Sequence, residues 1–321
     1  VHSFQQVSEI FAEKFQQRHF PTEPAGLYEP AEYFLAIGGK RIRPIACIMG
    51  NELFNRTKTS VWSIAYALEL FHNFTLLHDD IMDDSPLRRS RATVHVRNGI
   101  NTAILSGDAM LIKAYEYLSD AKTRYLPSLL ELFNKTAKEV CEGQQLDMDF
   151  EKRDSIAMDE YIRMITLKTS VLLAASFEMG AITAGAWKDD CAHIYEFGKN
   201  LGIAFQIQDD YLDCFGDPMK LGKTIGGDVR RNKKTFLLVK AQEEVLGVQK
   251  VELTQLLADN ADDKVEKIID IFKSCGVDKW AKELWQSYAD KALRHLSDIK
   301  VEDSRKKYLR DLADYLLNRE Y

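Results

Sequence analysis

Apolar residues recur at steps of three and four along most of the chain. Between Ser60 and Asp84, one row runs Ile64, Ala65, Leu68, Phe71, and a second runs Ala67, Leu70, Phe74, Leu77. Together they make a helix that is apolar almost all round, interrupted by Glu69, His72, Asn73 and Thr75. Such a helix belongs in the middle of a bundle. Val265, Ile268, Ile269 and Phe272 repeat the spacing later. No alternating run is long enough for a useful strand. Breaks fall at "PTEPAG" (Pro21), "GGKRIRP" (Gly38), "NRTKTS" (Asn55), "SPLRRSRAT" (Ser85) and "FGDPMKLGKTIGGD" (Phe215). None is long or polar enough for a domain linker. The pattern predicts an all-α fold of ten or more helices, in one domain spanning 1–321. The most apolar window, "VLLAASFEMGAITAGAW" from Val171 to Trp187, is short and contains Glu178. It reads as a buried core helix, not a membrane span.

Composition narrows the picture only slightly. The 321 residues are 45% hydrophobic and carry a net charge of −6. That balance excludes general attraction to nucleic acid but leaves room for local phosphate-binding clusters. Five cysteines (Cys47, Cys141, Cys191, Cys214, Cys275) are scattered without metal-ligand spacing. Their odd number argues against a disulfide framework and for a reducing, cytoplasmic compartment. The first twenty residues hold Glu9, Glu13 and Lys14 with no apolar block, unlike a signal peptide.

The chemistry begins where the first apolar helix ends. "LLHDDIMD", Leu76 to Asp83, is matched by "QIQDDYLD", Gln206 to Asp213. On a helix, the i, i+1, i+4 spacing puts Asp79, Asp80 and Asp83 within an arc of about 100°, and Asp209, Asp210 and Asp213 likewise. Carboxylates this close raise one another's energy unless a cation intervenes. Oxygen-only ligands suit a hard cation, and magnesium bridges readily to phosphates. One acidic cluster would be ordinary on a solvated face. Two copies, each ending an apolar run, predict a pair of helices that hold magnesium ions for a polyanion such as a diphosphate.

Basic clusters supply the complement: Lys40, Arg41 and Arg43 after a glycine pair, then Arg88, Arg89 and Arg91, then Lys168 beside Thr169, then Lys223, Arg230, Arg231, Lys233 and Lys234. Arginine forks fit phosphate oxygens in pairs, while lysine acts as a point charge. Two diphosphate sites follow, one reached through metal and one through direct ion pairs.

With "GGKRIRP", "HNFTLLHDDIMD", "GQQLD", "KT" and "FQIQDDYLD" in this order and spacing, the chain resembles the trans-isoprenyl diphosphate synthases over nearly its whole length. The resemblance implies a helical bundle around a deep cavity, usually a homodimer, with magnesium in both aspartate motifs. It assigns Lys40, Arg43, His72 and Arg89 to isopentenyl diphosphate. It assigns Arg88, Lys168, Thr169, Gln206, Lys223 and Lys233 to the allylic diphosphate, with Gln144 and Asp147 in the middle motif. Ser90 stands where the family often has glycine, and Gly227 precedes Asp228 in a usually small position. His78 could tie to a backbone carbonyl, and Arg319 could close over the isopentenyl site.

The implied reaction is ionisation of the allylic diphosphate to a cation, followed by head-to-tail attack from isopentenyl diphosphate. In the family, the fourth and fifth residues before the first aspartate help set product length. Here they are Thr75 and Phe74, a pairing similar to twenty-carbon synthases, with Phe71 one turn deeper. Geranylgeranyl diphosphate is therefore the expected product, with farnesyl or a longer polyprenyl diphosphate as alternatives. On an ideal helix Thr75 lies near the Asp79 face but Phe74 falls round the side, so a local bend is needed. A class I terpene cyclase or a non-catalytic subunit of a heteromeric synthase would share the fold. A cyclase has no need of the Lys40, Arg43, His72, Arg89 set, and a non-catalytic subunit is expected to lose aspartates that are all present here.

Overall fold

Ser3 starts the first helix by capping it: its hydroxyl accepts from Gln6 N at 3.3 Å while the Gln6 side chain accepts from Ser3 N at 2.9 Å. From there the computed structural model describes residues 1–55, 60–217, 225–259 and 261–317. Its contacts form two compact units. The first comprises Val1–Phe133, Ala175–Ile194 and Lys300–Tyr308; the second comprises Asn134–Ala174, Tyr195–Ile299 and Leu309–Tyr321.

The helices of the first half are α1 (Phe4–Phe15), α2 (Ala25–Ala36), α3 (Ile42–Phe54), α4 (Ser60–Met82), α5 (Val94–Asn98), α6 (Ile100–Ser119) and α7 (Leu126–Glu151). After them come α8 (Met158–Ile165), a π-helical turn (Thr166–Ser170), α9 (Val171–Ala184) and α10 (Lys188–Phe215). The remainder is α11 (Gly227–Arg230), α12 (Phe236–Glu244), α13 (Gly247–Ala258), α14 (Lys264–Ser274), α15 (Val277–Asp298) and α16 (Asp303–Leu317). The all-α expectation therefore holds.

In the first unit, α4 packs chiefly on α6 and α3. Its buried residues include Ile64, Ala65, Leu68, Leu70, Phe71 and Leu77, drawn from both predicted rows. Burying each large side chain contributes about 1.5–3 kcal/mol. In α3, every residue from Pro44 to Leu53 is buried. Two glycines explain how it meets α9: a Cβ on Gly50 would strike the Phe177 carbonyl, and one on Gly180 the Cys47 carbonyl. Asn51 spans the contact, its amide donating to Gly180 O (3.2 Å) and Thr183 Oγ1 (3.0 Å). At the end of α3, Arg305 donates to the carbonyls of Leu53 (2.6 Å), Glu52 (2.5 Å) and Asn55 (3.2 Å), taking up the free acceptors of the helix terminus. Met158–Ala184 is long and apolar enough to cross a membrane by composition, yet 67% of its apolar window is buried within the protein, as expected of a core helix.

In the second unit, Ile203 and Ile207 of α10 share a core with Phe236 of α12, Leu253 of α13, Ile268 and Phe272 of α14, and Ala281 of α15. Lys264 caps α13, its ammonium donating to Asp259 O at 2.9 Å.

The break at Ser85 holds one feature that periodicity did not predict. Leu87–Arg88 and Arg91–Ala92 pair as two antiparallel strands, β1 and β2, with Leu87 opposite Ala92 and Arg88 opposite Arg91. Strands of two residues show no alternation to detect. The turn residues Arg89 and Ser90 both have positive φ, 51° and 63°. A two-residue hairpin loop of this kind favours glycine. Serine at this position is thus strained, where glycine would adopt the angle freely. Ser90→Gly should stabilise the protein by about 0.5–1 kcal/mol, the left-handed penalty less the added freedom of the unfolded chain. Chemical denaturation measures it, and an unchanged or lower stability would contradict the assigned turn.

Candidate active site

Both acidic clusters lie at helix C-termini, α4 ending at Met82 and α10 at Phe215. The peptide dipoles already place negative charge there, so aspartates at that end are each unfavourable by about 0.3–1 kcal/mol. A chain that collects carboxylates at this end needs cations nearby.

In the first unit, the helical spacing persists just past α4, because Asp83 N still donates to Asp79 O at 2.9 Å. Asp84 then turns left-handed, with φ 46°. The three aspartates differ in environment. Asp80 is 1% exposed, while Asp83 lies in solvent. Arg88 of β1 grips Asp80 with a fork: Nε donates to Oδ1 (2.8 Å) and Oδ2 (2.9 Å), and Nη2 to Oδ1 (2.6 Å). The same guanidinium stands 3.9 Å from Asp79. Burial pushes the Asp80 carboxyl above its ordinary range, against the pull of Arg88.

The predicted isopentenyl diphosphate residues come together beside this fork. Arg43, in the first turn of α3, donates to His72 Nε2 at 3.0 Å, and its own Nε is buried without a hydrogen-bond partner among the described residues. Burial lowers the Arg43 pKa to about 10, with Glu69 opposing. Burial, reinforced by Arg43 and Arg89, keeps the His72 imidazole well below its usual pKa, so the ring is the neutral acceptor. The Arg89 guanidinium lies against Gly39, where a Cβ would meet it, so the hairpin arginine reaches the glycine loop. Lys40 is exposed on that loop. Arg41 departs from the group: its guanidinium donates to Glu69 Oε1 and to Leu35 O (2.5 Å).

His78 does bind a backbone carbonyl, Ile104 O at 3.1 Å. Thr75 Oγ1 donates to His72 O, three residues back, at 2.8 Å, so its hydroxyl is satisfied within the helix. The Phe74 ring stacks edge-on to His78 at 4.7 Å and tilts against Phe71 at 5.7 Å; Phe71 in turn meets Phe133 at 5.1 Å.

In the second unit, the π-turn carries Lys168 and Thr169. Lys168 Nζ lies 2.5 Å from Asp147 Oδ2, and Thr169 Oγ1 donates to Gln206 Oε1 at 3.3 Å. Glycines admit the turn on two sides, since a Cβ on Gly143 would strike the Lys168 backbone and one on Gly202 the Ser170 Cα. The glycine before "QQLD" is thereby explained. Asp210, 4% exposed, accepts from Tyr161 OH (2.7 Å) on one oxygen and from Gln206 Nε2 (2.8 Å) on the other. Burial raises its pKa to about 7, against the pull of Lys233. Burial disfavours the Lys233 charge, but Asp228, Asp147 and Asp210 outweigh it and hold the ammonium protonated. Asp213 Oδ2 accepts from Asp228 N at 3.0 Å, and Asp209 is exposed. Asp147, Lys168, Thr169, Gln206, Asp210 and Lys233 line one small cavity of about 60 Å³. Lys223 and Arg319 lie outside the described residues.

Tyr161 was not found from sequence, being 49 residues from Asp210 with no motif to join them. Glu69 was visible as an acid in an apolar helix, and a buried acid demands a partner; its partner, Arg41, was not. Among the described residues, no three Asp, Glu, His or Cys side chains converge to hold an ion unaided. The all-oxygen donors at two helix C-termini fit a hard cation such as magnesium.

The profile of the polyprenyl synthetase family matches residues 24–274. A geranylgeranyl pyrophosphate synthase from Geoglobus acetivorans is 36% identical over 98% of this chain and 97% of its own. A crystal structure of a geranylgeranyl pyrophosphate synthase superposes with a TM-score of 0.95 at 43% identity, covering 100% of both chains. A polyprenyl synthase from Caulobacter crescentus, solved with calcium and isoprenyl diphosphate, superposes at 0.87 and 28% identity, covering 99% of this chain and 97% of that one. These neighbours share the all-α isoprenoid synthase fold. Prenyl synthases of this kind act on isopentenyl and allylic diphosphates and generally use a divalent metal. The chain belongs to the polyprenyl synthetase family and is a trans-prenyltransferase.

Proposed function

We propose that residues 1–321 act as one synthase domain that condenses isopentenyl diphosphate with an allylic diphosphate to give geranylgeranyl diphosphate. The observation that carries this reading is the pairing of carboxylate clusters at two helix C-termini with nearby arginines and lysines. The geranylgeranyl synthases among its relatives support the product. The outer aspartates Asp79, Asp83, Asp209 and Asp213 hold magnesium, with Asp80 and Asp210 anchored behind them by Arg88 and Tyr161. Magnesium, when bound, supplies the Lewis acidity that makes a diphosphate a good leaving group. Arg88, Lys168, Lys223 and Lys233 bind the allylic diphosphate, Thr169 and Gln206 orient it, and the cations meet the charge that develops as the carbon–oxygen bond breaks. Lys40, Arg43, His72 and Arg89 hold isopentenyl diphosphate while its double bond attacks the allylic cation. The released diphosphate takes the proton that is then lost. Phe71, Phe74 and Leu77 exclude water from the cation.

The working form is a homodimer in a reducing cytoplasm. Ile100, Ile104, Leu105 and Ile112 of α6 are exposed, an apolar surface that a second copy would cover. All five cysteines are free. Sedimentation at single-chain mass would rule the dimer out.

Incubation of the purified chain with isopentenyl diphosphate and each allylic primer, with magnesium, tests the reading by mass spectrometry of the products. A twenty-carbon diphosphate is expected from the wild type, and longer chains from Phe74→Ala, whose lost ring opens space above Phe71. No incorporation of isopentenyl diphosphate would refute the activity. Unchanged product length in Phe74→Ala would move the floor to Phe71.

His72 gives a pH prediction. Its folded pKa lies well below the unfolded value near 6.5. The neutral ring's contribution to stability is therefore complete above pH 6.5 and is lost as pH falls below it. Between pH 7.5 and 5.5 the wild type should lose about 1 kcal/mol more than His72→Gln, which keeps an acceptor but does not titrate. Equal losses in urea titrations of the two proteins would show that His72 protonates freely in the fold.

A further inference from the structure

The loop that presents Lys40 and leads into Arg43 has little intrinsic order. Gly38 and Gly39 have φ of 85° and 140°, and Arg41 follows at 50°. The glycines adopt such angles freely. An arginine does so only where its surroundings hold it. The restraint on Arg41 is visible. Its guanidinium is bound by Glu69 Oε1 and by Leu35 O, and it stacks 5.2 Å above the Phe15 ring. Glu69 is itself fixed: its side chain is 3% exposed, and Asn73 Nδ2 donates to its Oε1 at 2.6 Å and to its backbone carbonyl at 2.7 Å. Its second oxygen is buried without a hydrogen-bond partner among the described residues. The carboxylate also favours the positive charge of Arg43 and of Arg89. His72, the acceptor for Arg43, sits one turn further along the same helix.

We propose that Glu69 is the positioning residue of the isopentenyl diphosphate subsite, acting through Arg41 to hold the 38–41 loop in the turn that directs Lys40, and Arg43 at the start of α3, to the ligand. The inference rests on the reading that Lys40, Arg43, His72 and Arg89 bind isopentenyl diphosphate. Glu69 touches no substrate in this account. Its carboxylate fixes the loop, and the loop fixes the cations.

The test is a double-mutant cycle on the full chain, with Michaelis constants for both substrates and thermal unfolding measured in parallel. Glu69→Gln and Arg41→Met should each raise the KM for isopentenyl diphosphate about tenfold, the scale of one hydrogen-bonded charge, and leave that for the allylic diphosphate unchanged. The double variant should be no worse than either single, because both remove the same restraint. It also removes both buried charges, so it folds even where a single variant leaves one of them stranded, and it then carries the KM comparison alone. Equal rises in both Michaelis constants, or additive rises in the double variant, would reduce the pair to general stability and overturn the proposal. Arg43→Ala separates the two levels. If it raises the isopentenyl KM and Glu69→Gln does not, the Glu69 role is wrong and the subsite stands. If neither raises it, both fall.

Discussion

A carboxylate can leave water only beside a donor, and this constraint shapes the candidate site residues of each unit. Asp80, Asp210 and Glu69 are 1%, 4% and 2% exposed. Each is tied by a group from a different element: Arg88 from a hairpin strand, Tyr161 from α8, Arg41 from the loop before α3. Removing one partner of such a pair typically costs about 3–5 kcal/mol, because the other is left charged and dry. The pairs therefore fix where the hairpin, the π-turn region and the glycine loop can sit, and those segments carry the residues assigned to substrate.

The same constraint divides each DDxxD cluster. Its middle acid turns inward to a protein donor. The outer acids sit at the end of a helix dipole that already repels them, and they are the acids to which the proposed function assigns magnesium. The two clusters reach this arrangement by different means, a guanidinium fork for Asp80 and a neutral phenol with an amide for Asp210. The charge balance differs accordingly. Asp80 keeps an arginine at contact distance, whereas for Asp210 burial raises the pKa to about 7 against the pull of the Lys233 charge.

Much of this could be read from the chain. The two apolar rows of α4 became buried faces, and the acidic repeats ended their helices as the spacing required. What escaped has a common physical cause. The Arg41–Glu69, Tyr161–Asp210 and Asn51–Gly180 contacts join residues 28, 49 and 129 positions apart, and no local periodicity encodes a partner at such range. The hairpin was hidden because its strands have two residues each, and the π-turn at Thr166–Ser170 because one inserted residue barely disturbs a helical pattern. Gly143 and Gly202 were the available clue to that turn, small residues that let backbones approach closely.

The division of labour within the acidic clusters is tested most directly by comparing Asp79→Asn with Asp80→Asn. Calorimetric titration with inorganic diphosphate and magnesium reads ligand binding, and urea denaturation reads stability. Asp79→Asn should keep the wild-type stability and bind metal and diphosphate more weakly. Asp80→Asn should lose about 2–3 kcal/mol of stability through its broken fork with Arg88. A stable Asp80→Asn protein that fails to bind metal and diphosphate, beside an Asp79→Asn protein that binds normally, would contradict the account.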